Sequence, residues 1–325
     1  MAKWFIGIDL GGTYIKFGLL DDQRRAGESF QLPTPAGAGA EGVIGQMVAG
    51  ARQLMDRQKL SKADVAGVGI GSPGPLSISK GIVLAMPNIT GMTNVPIRDE
   101  VSRRLGLPAV LENDANAAAL GEYLCGAGGN GGDMVLLTLG TGIGSGIIIG
   151  GRILHGAHEI GAEMGHLIIV PGGEPCGCGQ RGCLERYSSA TYLAANGTKL
   201  LQGDNRPSSL RKVLAAKGQV NSQDINEARR AGDAVAGEIW DRAVYYLAIG
   251  CVSICRLFDP VEIVLAGGLA KAGEDLMQPL RRHFLALHWK LTEPMTEIVF
   301  SRLGEQAGVI GAAGVAWQAF APARP

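Results

Sequence analysis

IDLGGTYIK, residues 8–16, interrupts an apolar, β-prone run with two glycines and a threonine, and the fold turns on how this stretch is read. Lys3 to Asp9 on one side and Tyr14 to Leu20 on the other have strand composition, so the spacing predicts a β-hairpin with Gly11-Gly12-Thr13 at its tip. The glycines leave backbone N–H groups uncovered, Thr13 adds a hydroxyl and Lys16 a cation, a set that suits a phosphate. Asp9, closing the first strand, suits a hydrated magnesium ion. A ligand-free Gly-Gly hairpin has the same local composition, so this stretch alone leaves both readings open.

The pattern recurs. Val135 to Gly151, VLLTLGTGIGSGIIIGG, is again strand, Gly/Thr turn and strand, and LGTGIGSGIII (139–149) lies over LGGTYIKFGLL (10–20) with the same turn chemistry. A duplicated phosphate-gripping hairpin is the plan of the actin, heat-shock-70 and hexokinase class, in which two related α/β domains hold ATP in a cleft between them. The expected division is a small N-terminal α/β domain over 1–115, completed by the C-terminal helix near 306–320, and a larger domain over 116–305 that carries the cysteines. Two other nucleotide folds are set aside. No Gly-Lys pair occurs, so there is no P-loop. GIGSPG (69–74) matches the dinucleotide fingerprint in letters, but Pro73 and the residues after it do not open a helix.

The densest chemistry lies in Gly161 to Glu185, GAEMGHLIIVPGGEPCGCGQRGCLE. Cys176, Cys178 and Cys183 form C-x-C-x4-C, and His166 precedes them, so three thiolates and an imidazole can complete a tetrahedral shell with no open position, the mark of structural zinc. Gly177, Gly179 and Gly182 let the backbone between the ligands fold tightly. The competing reading, three buried thiols and a satisfied histidine, is weaker because free cysteines seldom cluster without chemistry.

Around these anchors the pattern predicts an alternating strand near Glu28 to Gln31, a helix over Glu41 to Arg57 and a strand over Val65 to Gly71 ending in the loop Ser72 to Pro75. A polar loop, MPNITGMTNVPI (86–97), offers Asn88. Pro108 to Glu112 is a short strand leading through Asn113-Asp114 into the helix ANAAALGEYL. Asp114 reads as a helix N-cap or as a general base for a substrate hydroxyl, and the two roles are compatible. Further on come a helix over Arg186 to Leu201, a capping box at Asn221 and Asp224, and a buried helix whose spacing runs from Ile239 to Leu257 and stops at Asp259-Pro260. The strand Val261 to Leu265 then meets Gly267-Gly268, a bare turn that suits a nucleotide's base or ribose and equally a tight connection. GVIGAAGVAWQAF near the C-terminus is a small-residue helix.

Thirty basic and thirty acidic residues cancel, so no electrostatic footprint for nucleic acid or an anionic membrane is expected. Six cysteines, three of them in the cluster, do not make a disulfide framework. Asp9 interrupts the N-terminus before a signal core forms, and the longest uncharged apolar run, Ala243 to Cys255, is too short to span a bilayer, so a cytoplasmic location and small-molecule partners are expected.

DLGGT, LGTGIGSG, ENDAN (112–116), EMGH (163–166) and CGCGQRGCLE (176–185) together resemble the ROK family (repressors, open reading frames, kinases), from Ile6 to about Trp317. The resemblance implies an actin-like ATPase fold and an ATP- and magnesium-dependent hexose kinase, glucose being the first expectation. It also implies that Asp114 takes the proton of the sugar 6-hydroxyl, and that Asn113, Glu163, His166 and Glu185 bind the ring hydroxyls. Asp9, Gly11, Gly12, Thr13, Thr141 and Gly142 are implied to cradle phosphates and magnesium, and Gly267 and Gly268 to lie near adenosine. The zinc of His166, Cys176, Cys178 and Cys183 would brace the sugar pocket, and a homodimer is expected. Tyr14 follows DLGGT where many members carry lysine, which leaves Lys16 as the candidate cation. N-acetylhexosamine kinases, fructokinases and sugar-responsive repressors share the family. The repressors carry an N-terminal helix-turn-helix, whereas here the phosphate hairpin starts at once. Polyphosphate is an alternative donor.

Overall fold

The computed structural model describes residues 3–86, 89–129 and 131–321; Asn88 lies outside them. In chain order come β1 (Trp4–Leu10), β2 (Tyr14–Asp21), β3 (Ala26–Pro33), α1 (Gly39–Arg57), β4 (Val65–Ser72), β5 (Leu76–Ser77), β6 (Ile82–Ala85), β7 (Thr93–Val95), α2 (Ile97–Leu105), β8 (Ala109–Asn113) and α3 (Asp114–Cys125). They are followed by β9 (Met134–Leu139), β10 (Ile143–Ile149), β11 (Arg152–Ile153), α4 (Glu185–Ser188), α5 (Ala190–Gly203), α6 (Leu210–Lys217), α7 (Ser222–Arg230), α8 (Ala234–Phe258), β12 (Glu262–Ala266), α9 (Glu274–Leu287), β13 (Glu297–Phe300) and α10 (Ala307–Phe320).

The duplication read from the two hairpins extends to whole sheets. One sheet has the order β3-β2-β1-β4-β8 and the other β11-β10-β9-β12-β13, the same plan of an antiparallel hairpin continued by two parallel strands. A third, small antiparallel sheet, β5-β6-β7, follows β4.

The chain forms two compact units: Met1–Gly132 with Gly146–Ala162 and Ser301–Pro325, and Asp133–Ser145 with Glu163–Phe300. A boundary at 115/116 would cut α3 after its second residue. Instead α3 stays whole in the first unit, because small residues bring it against α10: a Cβ at Gly311 would stand 1.6 Å from the Ala117 carbonyl oxygen, and one at Gly121 2.3 Å from that of Ala307. Residues 146–162 and 301–305 likewise belong to the first unit and not to the expected larger domain. One face of the first sheet buries Ile8, Phe17 and Ile70 in a cluster with Val43, Met47 and Leu54 of α1. The other receives α10 at backbone distance, and a Cβ at Gly69 would lie 1.8 Å from the Ala312 carbonyl oxygen. The first glycine of GIGSPG therefore serves helix packing, not a dinucleotide.

In the second unit α8 buries Ile239, Ala243, Leu247, Gly250 and Ile254 at helical spacing, whereas Leu257, expected on that face, is exposed in the last turn. Asp259 closes the helix in the left-handed region, and Asn221 and Asp224 form the expected capping box on α7. The single helix expected over 186–201 is broken at Ser189, which is extended and accepts the Tyr192 N–H to cap α5. Among the described residues no helix is long and apolar enough to cross a membrane.

Candidate active site

In the first unit the parallel strands β1, β4 and β8 end side by side. Asp9 is in register with Gly71, Gly71 with Glu112, and Ser72 with Asn113. Carboxyl ends of parallel strands are where open α/β sheets meet ligands. Asp114 lies directly beside the end of β4: a Cβ at Gly71 would stand at ordinary contact distance, 3.5 Å from Ala117 Cβ and 3.9 Å from Asp114 Cα. Two carboxylates thus converge at one strand edge. Burial pushes the Asp9 carboxyl up to about 6; Lys16, its cross-strand partner, pulls against this and Asp114 adds to it. Burial also raises Asp114, opposed by the Ala115 N–H that its Oδ1 accepts at 2.8 Å.

The cap of α3 is one residue earlier than the sequence suggested. Asn113 Oδ1 accepts the N–H groups of Ala115 (2.9 Å) and Asn116 (3.2 Å), so Asn113 is the N-cap and Asp114 the first helical residue. The tip of the first hairpin, Gly12 and Thr13, is exposed, and the Gly11 N–H donates to Tyr14 O at 3.0 Å. Lys16 lies beside Asp9, but its ammonium donates to the Glu305 carbonyl at 2.8 Å, so its charge is directed by a backbone oxygen.

In the second unit the four cysteine-cluster ligands meet. The loop is folded by bridges Ile168 to Cys183 and Pro175 to Arg181, with the Cys176 N–H on Gln180 O at 2.8 Å and Gly179 and Gly182 at positive φ. His166 Nδ1 and the three Sγ atoms all lie within 4.8 Å of one another; Cys178 and Cys183 sulfurs are 3.7 Å apart, as are His166 Nδ1 and Cys176 Sγ. Zinc–sulfur bonds of about 2.3 Å in a tetrahedron put sulfurs roughly 3.8 Å apart, so the donor set and spacing fit a Cys3His zinc. Burial pushes the Cys176 thiol up to about 12, while the Gln180 backbone N–H draws exposed Cys178 down to about 7.

His166 faces the sulfurs through Nδ1, which directs Nε2 away from them. Its turn, Met164–His166, is held by the Met164 N–H on Ser145 Oγ (2.8 Å), and Gly165 is required because a Cβ would stand 2.0 Å from the Ile143 carbonyl oxygen. Glu163 opens that turn and is exposed. Glu185, first residue of α4, links two features: its Oε1 accepts from Cys176 Sγ at 3.2 Å, and its Oε2 is 3.4 Å from the Ile143 N. It therefore borders the Thr141-Gly142 turn, where a Gly142 Cβ would lie 2.7 Å from Oε2. Gly267, at φ 90°, presses against Leu139 on the neighbouring strand end, so the two bare turns 140–142 and 267–268 are adjacent at the carboxyl ends of β9 and β12.

Sequence reasoning passed over Ser145, Glu112 and His155. Glu112 was visible as the first letter of ENDAN but read only as the end of a strand. The second unit also holds a cavity of about 630 Å³ between α5 and α8, lined by Tyr187, Leu193, Asn196, Ile239, Ala243 and Tyr246, none of them a candidate above.

Residues 5–319 match the model of the ROK family. The chain is 35% identical to a glucokinase of Halalkalibacterium halodurans over 95% of its own length and 93% of the relative's. Among solved structures, a ROK hexokinase from Thermus thermophilus superposes with a TM-score of 0.82 at 35% identity, covering 98% of this chain and 99% of that one. A ROK glucokinase from Streptomyces griseus, in complex with glucose and AMPPNP, gives 0.77 at 34% identity over 97% and 99%. With its matching sheets and strand-end carboxylates, the chain belongs to the ROK family and has the actin-like ATPase fold.

Proposed function

We propose that this chain is an ATP-dependent hexose kinase that moves the γ-phosphoryl group of ATP to the 6-hydroxyl of glucose. The observation that carries the reading is Asp114, a carboxylate at the end of a parallel strand whose burial raises its basicity. A base whose proton affinity is lifted toward neutrality accepts a hydroxyl proton more readily. The proton of the sugar 6-hydroxyl passes to Asp114, its oxygen bonds to the γ-phosphorus, the bond to the β,γ-bridging oxygen breaks, and ADP leaves.

Asn113, Glu163, His166 and Glu185 hold the ring hydroxyls, carboxylates being suited because each accepts several hydroxyl hydrogens in fixed directions. Gly12, Thr13, Thr141 and Gly142 offer N–H groups and hydroxyls to the phosphates, Gly11, whose own N–H is held by Tyr14 O, shapes the first of these turns, and Gly267-Gly268 would lie by the adenosine. Asp9 would hold hydrated magnesium, which would neutralise phosphate charge; Lys16, its ammonium held by the Glu305 carbonyl, favours the charged form of Asp9. A zinc on His166, Cys176, Cys178 and Cys183 would fix the loop from which His166 and Glu185 project. Glucose is favoured over N-acetylhexosamines and fructose by the names of the relatives at 34–37% identity. A cytoplasmic homodimer is part of the same reading.

ADP release from magnesium-ATP across glucose, mannose, fructose, N-acetylglucosamine and N-acetylmannosamine tests it. The expected result is a kcat/KM for glucose about tenfold or more above the others. Preference for an acetamido sugar would replace the substrate. Asp114→Asn should lower kcat roughly 10²- to 10⁴-fold with the fold intact, and retained turnover would remove it as the base.

A further inference from the structure

Directly behind the Asn113–Asp114 elbow lies a carboxylate that the proposed reaction does not use. The Glu112 side chain is 2% exposed and is surrounded by donors. Its Oε1 accepts the backbone N–H of Asn113 (2.9 Å) and Nδ2 of Asn116 (3.0 Å), and its Oε2 is 2.7 Å from His155 Nε2. Asn113 and Asn116 are the two ends of the α3 cap, so Glu112 grips the cap from below while Asn113 closes it from above. A buried anion of this kind needs a compensating cation, and removing one partner of such a pair is far costlier than an exposed pair suggests.

His155 comes from the loop after β11, which is itself tied down. The Gly161 N–H closes it on His155 O at 2.9 Å. Glu159, at φ 60°, accepts the N–H groups of Ile78 and Ser79, both at 2.9 Å, beside the small sheet. The charged groups facing His155 are Glu112 from β8 and Glu159 from its own loop, and both favour the imidazolium; the hydrogen bond to Glu112 is the larger influence and raises the His155 pKa.

We propose that Glu112 and His155 are a pair of positioning residues, in which a positively charged His155 holds Glu112 and, through it, the Asn113–Asp114 elbow in the orientation that phosphoryl transfer needs. Neither residue touches substrate. The inference rests on Asp114 as the base.

The sign of the pH effect follows: the cation is complete at low pH and is lost as pH rises through the raised pKa of His155. Turnover should therefore decline on the alkaline side, apart from any acid decline due to Asp114. The test compares His155→Gln, which can still donate a neutral hydrogen bond to Glu112, with His155→Arg, which keeps the charge. His155 is partly exposed, so both variants should fold, and melting temperatures check this. With glucose and magnesium-ATP at neutral pH, His155→Arg should retain kcat within about threefold and lose the alkaline decline, while His155→Gln should drop kcat about tenfold or more, with the KM for ATP little changed. Glu112→Gln should match His155→Gln. Equal turnover in the Gln and Arg variants, high or low, overturns the proposal, as does an alkaline decline that persists in His155→Arg. Asp114→Asn run in parallel separates the two claims, because retained kcat there defeats the base reading whatever the His155 variants do.

Discussion

Burial lifts the Asp9 carboxyl from 3.8 to about 6, and this has a thermodynamic sign as well as a catalytic one. Between about pH 4 and 6 the folded chain holds a proton that the unfolded chain has released, so stability falls as pH rises through that window and the deficit is complete above it. Asp9→Asn should therefore stabilise the nucleotide-free protein at pH 7.5 by about 2 kcal/mol at most, since Lys16 loses its neighbour, and so raise its melting temperature. The gain should vanish near pH 4, and thermal melts at the two pH values check it; no gain at pH 7.5 would mean that Asp9 is not strained by burial. The same substitution should abolish turnover. Asp9 and Asp114 were both legible as motif letters. That they perturb one another was not, because it depends on three strands ending level.

Among elements, the strongly marked ones were legible from sequence: both hairpins, α1, α3, α8 and α10 stand where turn residues, composition or helical spacing put them, within about five residues. The small sheet, with strands of two to four residues, carries too few positions for a period to show. α9 was missed for a different reason. Pro279 inside it has no N–H for the carbonyl of Asp275 four residues back, and a proline there normally argues against a helix. The structure supplies the missing donor from another helix: Trp240 Nε1 of α8 donates to Asp275 O at 3.0 Å. Trp240→Phe keeps an aromatic side chain but orphans that carbonyl and leaves a gap where the indole was, so it should cost at least about 1–3 kcal/mol, read by denaturant unfolding. Loss well below that range would mean water reaches the carbonyl. A second contrast concerns glycines. Gly69→Ala drives a methyl into the α10 backbone and should destabilise by about 3 kcal/mol or prevent folding. At Gly12 nothing lies within 4 Å, so Gly12→Ala should leave the melting temperature unchanged and raise the KM for ATP.

At the scale of the whole molecule the cysteine loop and the assembly make separate predictions. Protein purified without chelator should contain about one zinc per chain, and Cys178→Ser should lose it and lower the melting temperature. Metal analysis finding none in carefully handled protein would leave four convergent ligands without a role. Light scattering at micromolar concentration should report twice the chain mass.

The first unit is discontinuous: α10, which covers β1 and β4 and interlocks with α3, begins almost 300 residues after β1 and roughly 235 after β4. On the ribosome this orders events. The β-sheet that carries Asp9 and leads into Asp114 emerges early with one face bare, and it stays bare until Ala307 to Phe320 leave the exit tunnel. Synthesis therefore leaves a long interval in which an apolar sheet face waits for its last helix, and any pause within that interval favours chaperone capture or aggregation over folding.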